Sequence, residues 1–457
     1  MGLGYRQVSI FPKSSTDMCM IRVTIAPLEP TGWAGVKLAF LEAATGPSYQ
    51  SKGTNHIQPA IRVVHMVSHP IQYYAPLYRE LARRPEIDLT VMFYSVETAA
   101  AFHDQEFDRT IRWDVPMLDG YKYVIAPSAK TRKVVLGFDL RPSFDVLRQV
   151  QRSQFDVLWV SGYQFLNTWL LAALGLSARY TIFLHDEQNL LTHRAGWKRA
   201  FKRLLLPLLF RRVWGLYIGQ ENRRFLHHYG IPEERLFPAH YCVDNAALRA
   251  QRSELLPRRA ELRAQFGILD DGPVILFSGK LIDKKQPGLL LRAFRAVRQA
   301  SNCHLLFVGD GHLRSSLEEM ARDLSIPDVH WVGFLNQSRI AEAYVAADVF
   351  VLPSAFQETW GLVVNEAMNF ELPILVSDQV GCAKDLVQHG ENGFVFPSGK
   401  VQALTKHLAL LVASPASRRD FGLRSAEIVS RYSIESCATQ VVQACLAAST
   451  SKMHSRG

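Results

Sequence analysis

The chain has 457 residues, of which 48% are hydrophobic and 21% charged, and its formal net charge is +10. This length exceeds what one hydrophobic core covers, so two domains are expected. No apolar run reaches the roughly 18 residues of a membrane span, and the start lacks the layout of a signal peptide. Six scattered cysteines argue against a zinc site or a disulfide framework. We therefore predict a cytoplasmic globular protein, and its positive charge favours a membrane surface, nucleic acid or an anionic substrate as partner.

Ordered structure is predicted to begin at Ile61. Residues 1–60 carry Pro, Gly, Ser and Thr without a motif, which indicates an N-terminal extension that is disordered or loosely attached. The segments IRVVHMVS, APLYRELARR and IDLTVMFYS then have the patterns of a buried strand, an amphipathic helix and a second strand. This βαβ unit opens a first α/β domain over residues 61–250.

Polar residues follow two of the strands predicted in this domain. His69 and Tyr73 come after the first strand, and His185 stands with Asp186 and Glu187 after ARYTIFL. Open α/β sheets bind ligands at the carboxyl ends of their strands, so these residues are candidates for a site. His69 could orient a substrate group or be hydrogen-bonded within its own turn. His185 beside acids could be a base with its orienter, and no metal-ligand spacing surrounds it.

The segment Arg194–Trp214, RAGWKRAFKRLLLPLLFRRVW, is rich in basic residues, leucine and tryptophan and has no acid. As a helix it would be basic on one side and apolar on the other, which is typical of a helix lying on a membrane surface. The alternative is a packed helix with a basic solvent face, and Pro207 interrupts the pattern. Nucleic acid is disfavoured as a partner because no nucleic-acid-binding motif accompanies the charge.

A second domain is predicted over residues 251–432. Its first strand, PVILFS, is followed by Lys280 and Lys285, whose ammonium groups could neutralise a leaving diphosphate without a divalent cation. Further strands end in a turn at Gly309 and in a loop, 333–336, that contains Phe334.

The stretch 354–373, SAFQETWGLVVNEAMNFELP, follows the buried strand DVFVL and contains two acids, Glu358 and Glu366. Leu362 belongs to a helical pattern, so Trp360 and Gly361 are expected to open a helix. The free N–H groups at such a helix start form a phosphate site. Acids on both sides of a phosphate site suit hydroxyl groups better than the phosphate itself. A diphosphate with hydroxyls at both ends is a nucleotide sugar.

Glu358 and Glu366, with TWGLVVN between them, resemble the E-x7-E motif of the retaining glycosyltransferases of family 4. Residues 61 to about 440 contain further motifs of this family in the expected order. The resemblance implies the GT-B fold, an α/β architecture of two Rossmann-like domains that face a central cleft. The first domain would bind the acceptor and the second the nucleotide sugar, and a C-terminal helix and tail, 433–457, would return to the first domain.

The resemblance also implies a role for each candidate residue. Glu366 would hold the ribose hydroxyls, Glu358 the hydroxyls of the donor sugar, and His185 would contact that sugar. The lysines at 280 and 285 and the N–H groups at 360–362 would stabilise the departing diphosphate. Four residues complete the site: Gly309 and Phe334 for donor binding, and His69 with Tyr73 for the acceptor. Lys280 stands where the family commonly has Arg, and Glu371 where the family usually ends the motif's helix with Gly.

The leading hypothesis is a retaining transferase that needs neither metal nor cofactor and moves a sugar from a nucleotide sugar to a glycan or lipid-linked acceptor in polysaccharide or glycan biosynthesis. Such an enzyme could lie peripherally on the inner membrane face through Arg194–Trp214. A nucleotide-sugar epimerase of the same fold and a non-catalytic partner protein that binds sugar nucleotides are the alternatives.

Overall fold

The structure is a computed structural model that describes residues 59–99, 102–104, 109–127, 138–173, 180–191 and 196–454. The expected N-terminal extension, apart from its last two residues, lies outside this part of the chain. Within the described residues, no helix is both long and apolar enough to span a bilayer.

The first domain is built on a parallel sheet of seven strands in the order β5-β2-β1-β6-β7-β8-β9. Its strands are β1 (Ile61–Val67), β2 (Ile87–Phe93), β5 (Lys122–Ile125), β6 (Val157–Ser161), β7 (Thr181–His185), β8 (Trp214–Tyr217) and β9 (Leu236–Pro238). Two short strands, β3 (Phe102–Asp104) and β4 (Arg109–Ile111), pair antiparallel outside this sheet. Its helices are α1 (Tyr74–Ala82), α2 (Phe144–Arg152), α3 (Leu166–Ala173), α4 (Gly196–Phe210) and α5 (Gln220–His228).

The second domain has a parallel sheet of six strands in the order β12-β11-β10-β13-β14-β15. These strands are β10 (Val274–Ser278), β11 (His304–Val308), β12 (Val329–Gly333), β13 (Val349–Leu352), β14 (Ile374–Ser377) and β15 (Gly393–Phe396). The helices from the linker onward are α6 (Asn245–Leu255), α7 (Arg259–Gln265), α8 (Pro287–Arg298), α9 (Arg314–Asp323), α10 (Ile340–Ala346), α11 (Leu362–Asn369), α12 (Ala383–Leu386), α13 (Val401–Ala413), α14 (Pro415–Val429) and α15 (Ile434–His454).

Alternation of apolar strands with amphipathic helices produces both sheets. The central strand of the second sheet, β10, is buried along its whole length, as its uninterrupted apolar sequence predicts. The prediction of two Rossmann-like α/β domains is confirmed. The last helix, α15, packs on the first domain, where its Cys437 and Val441 share a core with Val63 and Trp159 of the first sheet.

Glu371 leaves α11 in the left-handed conformation, with φ of 59°. A side chain in this conformation costs about 1 kcal/mol relative to Gly. Its carboxylate lies 2.5 Å from the Arg252 guanidinium. Glu371 in place of Gly therefore affects the end of α11, where its carboxylate is held by Arg252.

Candidate active site

A cavity of about 250 Å³ is lined by residues that follow strands of both sheets. The first domain contributes His185 and Glu187, and the second contributes the segment 358–362. Six of the predicted site residues line this cavity: Tyr73, His185, Glu358, Trp360, Gly361 and Leu362. The other six lie outside its lining: His69, Lys280, Lys285, Gly309, Phe334 and Glu366.

Glu358 and Lys285 are in direct contact. The Lys285 ammonium donates a hydrogen bond to Oε2 of Glu358, and the Ser354 hydroxyl donates to the same oxygen at 2.9 Å. Burial raises the pKa of Glu358, but the charge and hydrogen bond of Lys285 outweigh it, so this pKa lies below its usual range. Glu358 is therefore a carboxylate at neutral pH, held in place at the edge of the cavity.

The helix start predicted at Trp360 and Gly361 is present. Gly361 has φ of 99° and immediately precedes Leu362, the first residue of α11. A Cβ at Gly361 would lie 3.1 Å from the Leu352 side chain, so both space and conformation favour glycine here. The indole of Trp360 is buried and donates to Asn365 Oδ1 at 2.8 Å. Trp360 can therefore offer a ligand its backbone rather than its indole N–H.

The turns after β10 and β11 touch each other through their backbones. A Cβ at Gly309 would lie 1.9 Å from the carbonyl oxygen of Gly279, and the φ of Gly309 is 128°. No other residue type fits this contact without backbone movement. Gly309 therefore allows the turn after β11 to pack closely against the turn after β10, which contains Lys280. Both turns lie at the carboxyl edge of the sheet.

Glu366 is held by two tyrosine hydroxyls, one from each domain. Tyr344 donates to Oε2 at 2.7 Å, and Tyr73 donates to Oε1 at 3.0 Å. Burial raises the pKa of Glu366, and hydrogen bonds from these tyrosines and Gln337 offset only part of the rise. Tyr73, predicted to bind the acceptor, thus contacts the residue predicted to bind the ribose. That contact joins residues 293 positions apart, which no local pattern reveals.

His185 is buried at the end of β7, with only 4% of its surface exposed. Among the described residues, neither ring nitrogen has a hydrogen-bond partner. The rings of Tyr74, Trp159 and Tyr241 surround it at centroid distances of 5.6 to 6.0 Å. Burial lowers the pKa of His185 to about 4, so the imidazole is neutral at pH 7. A neutral imidazole on the cavity wall can donate one hydrogen bond to a ligand and accept another.

Glu187 connects the two domains across the cavity. It accepts a hydrogen bond from the Tyr241 hydroxyl and another from Thr359 Oγ1 at 3.2 Å. Tyr241 also lies 3.2 Å, oxygen to oxygen, from the Tyr74 hydroxyl. Sequence reasoning missed Tyr241, although its position shortly after β9 was a usable signal. It also missed Tyr344, which lies within an apolar helix and carries no such signal.

His69 and Phe334 contact other groups at the domain edges. His69 Nδ1 lies 2.8 Å from the Ser68 hydroxyl, and burial lowers the pKa of His69 to about 4. This geometry matches a histidine hydrogen-bonded within its turn, so its role toward an acceptor stays a prediction. The ring of Phe334 lies 6.4 Å from that of Trp113 in the first domain.

Helix α4 has an exposed apolar stripe. Trp197, Phe201, Leu204 and Leu208 recur at helical spacing and are 54 to 72% exposed. Arg199 and Arg203 are exposed beside them. The helix continues through Pro207, so the interruption expected there is absent.

Lys202 differs from the other described basic residues of this helix. Its side chain is buried, donates to the Tyr163 hydroxyl and lies 5.1 Å from the centre of the Phe225 ring. The expectation that Lys202 belongs to a basic surface is therefore wrong. An ammonium group here is satisfied by aromatic and hydroxyl contacts in the core.

Within the described residues, no group of three or more His, Cys, Asp or Glu side chains is placed to hold a metal ion.

Comparison with known proteins places the second domain in a family. Residues 258–427 match the model of glycosyl transferases group 1. An uncharacterized glycosyltransferase of Methanocaldococcus jannaschii is 34% identical over 141 residues, 30% of this chain and 36% of that protein. Alpha-D-kanosaminyltransferase of Streptomyces kanamyceticus is 27% identical over 214 residues, 46% of this chain and 54% of that enzyme. The chain thus spans about a third to a half of the length of these curated relatives.

The likeness to solved structures extends over both domains. The crystal structure of Anabaena HepE in complex with UDP superposes with a TM-score of 0.61 and 17% identity, covering 84% of this chain and 98% of that one. At this identity the likeness establishes the fold alone. The chain therefore contains a domain of the glycosyl transferases group 1 family, carried on the two-domain GT-B fold.

Proposed function

We propose that this protein is a retaining glycosyltransferase that moves a sugar from a nucleotide-sugar donor to a glycan or lipid-linked acceptor without a metal ion. The observation that carries the proposal is the Glu358–Lys285 pair, which stands next to the start of α11 at a cavity shared by both domains. An anionic carboxylate, an ammonium group and a helix N-terminus together match a sugar joined to a diphosphate.

In this reaction, the bond between the anomeric carbon and the diphosphate oxygen breaks, and the acceptor oxygen forms a bond to the same carbon. Lys285, Lys280 and the N–H groups at the start of α11 stabilise the charge that develops on the diphosphate. Glu358 accepts hydrogen bonds from hydroxyls of the donor sugar, and Glu366 from the ribose. The proton of the acceptor hydroxyl passes to the departing phosphate on the same face.

The neutral imidazole of His185 provides a hydrogen bond to the donor sugar from the first domain. Its two ring nitrogens, which lack a hydrogen-bond partner in the described part of the chain and are buried on the cavity wall, support this role. An unpaired buried polar group costs free energy, so the site gains when a ligand hydroxyl fills that position.

The known proteins of this fold support a nucleotide sugar as donor. HepE has been crystallised with UDP and with UDP-glucose. Kanosaminyltransferase, a relative matched over part of its length, is by name a glycosyl-transfer enzyme.

We further propose that α4 places the protein on the inner face of a membrane. Its apolar stripe can enter the lipid interface, and Arg199 and Arg203 can contact anionic head groups. An acceptor linked to lipid would then lie close to the first domain. Donor chemistry does not depend on this contact.

A panel of nucleotide sugars tests the reaction. Transfer of the sugar to an acceptor supports the proposal, and retained anomeric configuration in the product supports the mechanism. Isomerised donor would identify an epimerase, and binding without turnover would identify a non-catalytic partner protein. Activity should persist in EDTA. Loss of activity in EDTA that Mg²⁺ or Mn²⁺ restores would contradict metal independence.

A further inference from the structure

The carboxylate of Glu366 is hydrogen-bonded by two tyrosines, one on each oxygen, and also by Gln337, and one of the two tyrosines comes from the opposite domain. Tyr73, which directly precedes α1, donates to Oε1, and Tyr344 of α10 donates to Oε2. Only 3% of Glu366 is exposed. A ribose hydroxyl can therefore reach this carboxylate only after a covering group has moved away.

The two tyrosines differ in how they are held. Tyr344 belongs to the same domain as Glu366 and is fully buried in that domain's core, so it stays with the carboxylate when the domains separate. Tyr73 belongs to the first domain, so a separation of the two domains would remove its hydroxyl from Glu366. Tyr344 therefore holds the carboxylate within its own domain, whereas the Tyr73 contact joins the two domains.

The adjoining loop of the second domain is covered in the same way. Ser338 donates to the carboxylate of Asp114 in the first domain through its hydroxyl and, at 3.2 Å, through its backbone N–H. The ring of Phe334, a residue expected to bind the donor, lies 6.4 Å from the Trp113 ring, centroid to centroid. The first domain thus lies against two parts of the expected donor site, the Glu366 carboxylate and the loop 333–336.

We propose that Tyr73 is a gate for the nucleotide donor: in the empty protein its hydroxyl takes the position on Glu366 that a ribose hydroxyl takes in the complex. The gate rests on the proposed role of Glu366 in donor binding. Each donor molecule must break the Tyr73 hydrogen bond before it forms its own. The measured donor affinity then equals the affinity of the open protein multiplied by the fraction of molecules that are open.

The test measures binding of UDP, GDP and ADP to the full chain by isothermal titration calorimetry. Tyr73→Phe removes the competing hydroxyl and keeps the ring, so the best-bound diphosphate should bind about five- to fiftyfold more tightly. Tyr344→Phe, the matched control on the same carboxylate, should not tighten binding. Ser338→Ala removes the hydroxyl hydrogen bond to Asp114 on the same domain boundary without removing a partner of Glu366, and should tighten binding less than Tyr73→Phe.

Glu366→Gln separates the gate from the donor site itself. It should weaken binding of the same diphosphate at least about tenfold, because a charged acceptor is lost. If it weakens binding while Tyr73→Phe leaves it unchanged or weaker, the gate is overturned and the donor site stands. If Tyr73→Phe only raises the acceptor KM, Tyr73 belongs to the acceptor site instead.

Two further results are decisive. Equal tightening by Ser338→Ala would show that general opening of the cleft, and not the Tyr73 hydroxyl, limits binding, which overturns the gate. Unchanged binding in Glu366→Gln, or no diphosphate binding to any variant, would overturn the proposed donor site. Thermal melting of each variant confirms that it is folded before its affinity is compared.

Discussion

The carboxyl edges of the two sheets differ in where their candidate residues point. At the second sheet, Lys285 and Glu358 contact each other beside the start of α11. At the first sheet, His69 turns to its neighbour Ser68, Tyr73 crosses to the other domain and His185 faces the cavity without a partner among the described residues. At the second sheet, two candidate residues contact each other, whereas at the first sheet the three candidate side chains make separate contacts.

This difference follows from what each edge is proposed to bind. A diphosphate is recognised by backbone N–H groups and positive charge at fixed positions after a strand, so spacing along the chain carries the information. An acceptor is recognised by side chains whose contacts depend on tertiary packing. Residue spacing therefore indicates the second edge well and the first edge poorly.

The largest effect is expected from removing the charge at the second edge. Lys285→Ala should lower turnover at least about a hundredfold, because the leaving diphosphate loses a preorganised cation and Glu358 loses its partner. Turnover is measured by release of the nucleoside diphosphate. Lys406→Ala, an exposed lysine on α13, is the control and should be unaffected. Near-normal turnover in Lys285→Ala would show that this lysine pairs with Glu358 but does not stabilise the leaving diphosphate.

Local patterns were sufficient for the fold and for the position of the helix start in the candidate site. Uninterrupted apolar runs predicted the central strands, and the change from strand to helical spacing predicted the start of α11 within two residues. Contacts across the cleft could not be predicted in this way. Tyr73 meets Glu366, and Tyr241 meets Glu187, because distant segments pack together.

Lys202 shows the opposite error, in which a local pattern predicted too much. Seven basic residues in one segment suggested a uniform basic face. Helical geometry turns Lys202 inward to Tyr163, while Arg199 and Arg203 stay outside. A lysine's long stem allows it to be buried where its ammonium finds partners, and composition does not distinguish the two cases.

A smaller effect is expected from the first edge. His185→Asn should lower kcat/KM for the donor by about tenfold, which is the scale of one hydrogen bond to a ligand. His228→Asn, on the exposed side of α5, is the control. A loss of a hundredfold or more would show that His185 contributes as much to catalysis as Lys285 is expected to contribute. No loss at all would leave His185 as a packed core residue.

The pH dependence of the same variant provides a second check. The pKa of folded His185 is about 4, below the ordinary 6.5, so the neutral form is favoured in the native state. Its stabilising effect is complete above pH 6.5 and is lost as the pH falls toward 4. The ratio of wild-type to variant kcat/KM should therefore be constant between pH 6.5 and 8, and wild type should lose stability relative to His185→Asn below that range. An inflection of the ratio near pH 7 would contradict a neutral imidazole.

The smallest effect on turnover is expected at α4, because this helix lies outside the donor site. Reversing Arg199 and Arg203 to Glu should release the protein from vesicles containing anionic lipid, since each basic residue near such a surface contributes about 1 kcal/mol. Lys202 is left unchanged because a buried glutamate would disturb the core. Turnover of a soluble donor and acceptor should stay within about twofold of wild type.

The matched control is the same double reversal at Arg292 and Arg295 on α8. Both are exposed, but the large apolar residues of that helix, such as Leu290 and Phe294, are buried, so it offers charge without an apolar stripe. Co-sedimentation with vesicles at low salt compares the variants. Release by the α4 reversal alone would assign the membrane contact to the first domain, beside the edge proposed to bind the acceptor. Equal release by both double reversals would show that vesicle binding depends on net charge and not on the apolar stripe of α4. Equal binding of the α4 variant and wild type would show that its exposed stripe does not meet lipid.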